Sequence, residues 1–114
     1  MRYMMLIYGT EETIQPSEAE QAAIMTAYNA FADEASARGA LLSGEALYPV
    51  SSATTVRLRE GKVLTTDGPF AETKEQLAGI YVLNCKDLDE ALEMAARIPD
   101  AVFGSIEIRP VMEV

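Results

Sequence analysis

Arg2-Tyr3-Met4-Met5-Leu6-Ile7-Tyr8 is the stretch that decides how this chain folds. Successive side chains of a strand point to opposite faces, and here both alternating sets, Tyr3/Met5/Ile7 and Met4/Leu6/Tyr8, are apolar. Such a strand needs cover on both sides. The rest of the chain has to be read for what supplies it.

Downstream, Gly9 to Pro16 is turn-like, and Ser17 with Glu20 makes the capping-box pattern that satisfies free amides at a helix start. The helix is expected to run to about Arg38, with Ile24, Tyr28, Phe31 and Ala35 as its apolar stripe and Gly39 as its stop. Leu41 to Leu47 reads as a second, weaker strand. Thr54 to Arg59 and Lys62 to Thr66 flank Glu60-Gly61, the two-residue spacing of a tight hairpin. Gly79 to Cys85 is rich in β-branched and aromatic residues and is expected to lie centrally in the sheet. Asp87 with Glu90 repeats the capping pattern for a second helix, with Leu88, Ala91, Leu92, Ala95 and Ile98 as its stripe and Pro99 as its end. Ser105 to Val111 closes the chain as a strand with Ile106/Ile108 on one face and Glu107/Arg109 on the other.

This order is β-α-β, hairpin, β-α-β. It is the α+β, ferredoxin-like split βαβ arrangement with an inserted hairpin, which places both helices on one sheet face. Two helices leave the other face bare, so a second copy of the chain is the economical cover, and a two-fold homodimer with facing sheets is expected. Hiding ~500 Å² of apolar area per subunit is worth about 12 kcal/mol before association costs.

Composition narrows the function classes. A chain of 114 residues fits a single domain, here residues 1–114. With 18 acidic and 9 basic residues its net charge is −9, which argues against binding a nucleic-acid backbone. The longest apolar run, Tyr3 to Tyr8, falls far short of the roughly 20 residues of a membrane-spanning helix. Cys85 is the one cysteine, and the first residues do not resemble a signal peptide, so a reducing cytoplasm is the expected compartment.

The most distinctive stretch is Asp67-Gly68-Pro69-Phe70-Ala71-Glu72-Thr73-Lys74-Glu75-Gln76-Leu77. Together with Ala78-Gly79-Ile80-Tyr81-Val82-Leu83, Asp87-Leu88-Asp89-Glu90-Ala91-Leu92 and Gly104-Ser105-Ile106-Glu107-Ile108-Arg109-Pro110-Val111, it resembles the DGPF-domain branch of the YCII-related proteins. The opening Arg2 to Tyr8 fits as well, so the resemblance covers essentially the whole chain. It implies a dimeric α+β barrel of the ferredoxin-like type. It also implies an association with extracytoplasmic-function sigma factors, beside or fused to which related proteins occur in bacteria. In the wider group, acid/base chemistry is attributed to a His and Asp pair associated with the first helix. This chain has no histidine; the corresponding region offers Tyr28, Asn29 and Asp33. Where members of the branch often carry a His-Gly pair before the last strand, this chain has Phe103-Gly104.

Several residues remain as candidates for chemistry. Asp67-Gly68-Pro69 is either a turn that positions Phe70 in the core, or a ligand loop in which Asp67 accepts hydrogen bonds while Glu72 and Lys74 flank a pocket mouth. Glu107 and Arg109 are either a salt-bridged rim at the dimer interface or a pocket pair, with Glu107 as acid or base and Arg109 clamping an anion. Tyr81 is a core aromatic or a phenolic donor to the same cavity. Cys85 has no histidine to deprotonate it and reads as a small hydrophobe. No acidic cluster has cation-loop spacing, so neither metal nor cofactor is expected. The functional expectation is a small-metabolite-binding homodimer with Asp67 and Glu107 as candidates for proton transfer. The alternative is an accessory protein acting through protein contacts.

Overall fold

A computed structural model describes residues 1–14 and 16–113. It is an α+β fold with β1 (Arg2–Thr10), α1 (Glu11–Ile14), α2 (Glu18–Ala37), β2 (Leu41–Ala46), β3 (Thr54–Arg59), β4 (Lys62–Asp67), β5 (Glu75–Asn84), α3 (Leu88–Ala95) and β6 (Ser105–Pro110). Four strands form an antiparallel sheet in the order β2-β5-β1-β6, so the doubly apolar β1 is interior, beside the equally apolar β5. The order follows from burial: the strands with two apolar faces take the middle, and those carrying charge take the edges.

The helices cover one face. Tyr3, Met5 and Ile7 of β1 and Leu83 of β5 are buried against Phe31 and Ala35 of α2 and against Ala91, Met94 and Ala95 of α3, with Ile98 and Cys85 completing the core. Burial raises the Cys85 thiol pKa, which suits a packing role. Among the described residues no helix is long and apolar enough to cross a membrane.

The starts of α2 and α3 are capped by the residues expected, Ser17 and Asp87. The Glu20 amide donates to Ser17 Oγ at 3.3 Å, and the Ser17 amide donates back to Glu20 Oε1 at 3.3 Å. Ser17→Ala therefore removes one half of this box, and urea unfolding should show a loss of about 1 kcal/mol with an unchanged slope. At α3 the Glu90 amide donates to Asp87 Oδ1 at 2.9 Å, but the return bond to Glu90 Oε1 comes from the Lys86 amide. The second box is thus displaced by one residue.

Other boundaries also differ from expectation. The segment after β1 forms the short α1 rather than only a turn; Gln15, within the same segment, lies outside the described residues. Strand β5 begins at Glu75, four residues before Gly79, because Glu75, Gln76 and Leu77 pair with Thr10, Gly9 and Tyr8 beyond a bulge that sets Ala78 aside. Helix α3 stops at Ala95, and a 3₁₀ turn over Pro99–Val102 follows. Its buried set is Ala91, Met94 and Ala95, while Leu88 and Leu92 are exposed. The extra helical residues expected from the stripe would have had to run into Pro99, whose ring cannot follow a helical turn.

The hairpin is present, with Glu60 (φ 51°) and Gly61 (φ 74°) forming its two-residue turn. It is a separate two-stranded sheet that packs against itself and little else. The molecule measures 48 × 42 × 18 Å with a radius of gyration of 15.9 Å, whereas a compact chain of this length would give about 13 Å. A flat sheet bare on one side, with a projecting ribbon, produces that excess.

Candidate functional site

The second alternating set of β1 forms the floor of the site. Met4, Leu6 and Tyr8 stand on the sheet face away from the core, in register with Val82, Ile80 and Leu77 of β5 on one side and with Arg109, Glu107 and Ser105 of β6 on the other. All three β1 residues are only partly buried, and the helices that form the core all lie on the opposite face. An apolar floor therefore meets a polar strip along the β6 edge.

At one end of this strip lies a cavity of about 580 Å³ lined by Tyr8, Thr73, Glu75, Ser105, Ile106 and Glu107. Its shape is fixed by the segment that follows the Asp-Gly-Pro turn: Thr73 Oγ1 donates to the Glu75 carbonyl at 2.6 Å, and Ser105 Oγ donates to Glu75 Oε1 at 2.8 Å across to β6. Glu107 forms an ion pair with Arg109 two residues along the strand, and this partner holds the guanidinium above its usual pKa. The Arg109 side chain is 69% exposed and that of Glu107 40%, so in the single chain the pair stands in water. Hydroxyl and carboxylate groups converge in this lining, able to orient a polar ligand through hydrogen bonds, while the Arg109 guanidinium stands outside it and is linked through Glu107.

The remaining candidates are distributed differently. Asp67 ends β4 at the base of the hairpin, and it, Glu72 and Lys74 are exposed and do not line the cavity. The turn itself is tied to the hairpin: the Gly68 amide donates to the Ala53 carbonyl at 2.7 Å, and Thr55 Oγ1 donates to the Gly68 carbonyl at 2.8 Å. Gly68 has φ +97°, a backbone state that suits glycine. Phe70 is 79% exposed rather than in the core, because the tethered turn carries it away from the helices.

Tyr81 pairs with Met5 on the helix face, on the far side of the sheet from Glu107 and Arg109. Its ring lies 6.3 Å from that of Tyr28 and 5.1 Å from that of Phe31. The aromatic is partly buried and packs against the core, and β1 stands between its strand and β6. Sequence reasoning missed Tyr8, Thr73, Glu75 and Ser105. Ser105 carried a signal, since it lies two residues before Glu107 on the same face; the others depend on pairing across the bulge.

A second polar group lies on the helix side. The phenol of Tyr28 meets Asp100, in the 3₁₀ turn after α3; burial first, then Asp100 and Tyr81, raise its pKa. The Asp100 carboxyl pKa is itself raised by desolvation, partly offset by the neighbouring Tyr28 phenol. Asn29 and Asp33, the other residues singled out in that part of the first helix, are both exposed. Among the described residues no three His, Cys, Asp or Glu side chains gather as a metal ion would require.

Comparison with known proteins agrees in kind. An uncharacterised protein of Rhizobium meliloti (strain 1021) is 38% identical over 113 residues, covering 96% of this chain and 91% of the relative. The model of the YCII-related domain matches residues 1–114. With a matching domain along its whole length and a relative of the same extent, the chain belongs to the YCII-related family.

Proposed function

We propose that the protein is a homodimer of the DGPF branch that binds a small polar metabolite in the cavity beside Glu107. The observation that carries this reading is the composition of the open sheet face: an apolar floor of Met4, Leu6, Ile80 and Val82 runs directly into the Glu107–Arg109 edge. The floor calls for a second sheet, and a second sheet laid on it would desolvate the edge. The strand order β2-β5-β1-β6, with α2 linking β1 to β2 and α3 linking β5 to β6, supports the ferredoxin-like topology on which dimeric α+β barrels are built.

Within that chamber Glu107 is the group through which proton transfer would run, and Arg109 supplies an anion clamp. Binding comes first, because in the single chain the carboxylate is engaged by its neighbour and half open to water. Asp67, Glu72 and Lys74 act at most from the loop that borders the cavity. A panel of polar metabolites screened by thermal shift tests this: a hit should stabilise the parent and leave Glu107→Gln unmoved, while both sediment as dimers. An equal shift in the two proteins would remove Glu107 from the site.

A second reading, through protein contacts, rests on the hairpin. Val56, Leu58 and Val63 are exposed and share one face of a ribbon that packs mainly against itself.

A further inference from the structure

On the helix side of the sheet, away from Glu107, a groove of about 850 Å³ opens between α2 and the turn that leads into β6. It exists because α2 is longer than the layer it covers. Phe31 and Ala35, in its second half, are buried, while the first half continues the apolar stripe through Ile24 and Ala27 into the groove, where α1 reaches only the rim with Glu12 and Thr13. Phe103 and Pro99 form the facing wall. The volume matches that of sites for small organic ligands.

The charges around this groove do not cancel. Glu12, Glu20, Glu34 and Asp100 line it, and Arg97 is the one basic residue in the lining. Arg97 is already engaged by Glu34 and by Glu93, the latter at 3.3 Å. Glu20 is committed to its cap. Asp100 differs from the rest: it is half-buried, forms no ion pair among the described residues, and has the Tyr28 phenol as its neighbour.

From this geometry we infer that the groove binds a small organic amine, its ammonium on Asp100 and its apolar body along Ile24, Ala27, Phe31 and Phe103. An ammonium restores to the Asp100 carboxylate the interaction that burial has withdrawn. The flanking aromatic rings favour a cation as well. An anion of the same shape meets uncompensated carboxylates, and a neutral analogue leaves Asp100 as it was.

The test uses the full-length protein, isothermal titration calorimetry, and three probes of one shape: 4-phenylbutylamine, 4-phenylbutanol and 4-phenylbutyrate. The amine should bind saturably, the alcohol at least about tenfold more weakly, and the carboxylate not at all. Asp100→Asn should weaken the amine by about tenfold or more and leave the alcohol unchanged. Ala27→Phe, at an exposed helix position, should block amine and alcohol alike without depending on how the Asp100 variant folds. Glu107→Gln should leave all three titrations as they are, which separates this groove from the open-face cavity. Equal affinity for amine and alcohol, undiminished amine binding in Ala27→Phe, or loss of amine binding in Glu107→Gln would each overturn the assignment.

Discussion

Leu6→Lys should turn a dimer into single chains. Leu6 lies in the middle of β1 on the open face, between Ile80 of β5 and Glu107 of β6. In a two-fold assembly each substitution is present twice, and both ammonium groups would enter an apolar layer between sheets where the neighbouring carboxylate, Glu107, is already held by Arg109. The cost of several kcal/mol raises the dissociation constant by at least about a thousandfold. Analytical ultracentrifugation at micromolar concentration should show the parent at twice 12.4 kDa and the variant at 12.4 kDa. Because the core is built on the opposite set, Tyr3, Met5 and Ile7, the separated chain should keep its helical circular dichroism. A parent that already sediments as one chain would end both the dimer and the chamber reading. Leu6→Ala, which removes apolar area without adding charge, should lie between the two.

What the sequence disclosed, and what it withheld, divides along the same strands. The double apolar character of β1, the stripe at Phe31 and Ala35 and the cap at Ser17 are local patterns, and local patterns survive into the fold. The face of Tyr81 is not local. Both alternating sets of β5 are apolar, so only the pairing of Tyr81 with Met5 decides which side it takes. The bulge at Ala78 then shifts the parity for Glu75 to Leu77, and with it the residues that meet Ser105 and Tyr8. Phe70 misled for a different reason. Hydrophobicity argued for the core, but hydrogen bonds from Gly68 and Thr55 hold its turn to the hairpin, which itself stands clear of the core. Of the candidate site, the Glu107–Arg109 edge was legible as a two-residue repeat. The cavity beside it was not, since it joins a loop and two strands distant in sequence.

Gly104→Ala should be the most damaging small substitution in the chain. A methyl group there would lie 2.0 Å from the Tyr8 carbonyl oxygen, 3.0 Å from its carbon and 3.2 Å from Gly9 Cα. All three are backbone atoms, so no rotamer relieves the contact and β6 must move away from β1 where Ser105 pairs with Tyr8. The penalty should be about 3 kcal/mol, at the upper end for overpacking, with a melting temperature lower by roughly 10 °C. Calorimetry would measure it, and Phe103→Ala provides the comparison: that ring is largely exposed, and its loss should cost about 0.5 kcal/mol or less. The damage should extend to function, because Tyr8 and Ser105 line the Glu107 cavity and separate when the edge opens. Metabolite stabilisation should therefore fall in Gly104→Ala even below its melting point, and persist in Phe103→Ala. In the Phe103-Gly104 pair, the glycine thus carries a structural duty that holds whichever side chain precedes it. A Gly104→Ala protein melting within a degree of the parent would mean that the β1–β6 edge yields freely, and a site built across it would lose its rigid wall.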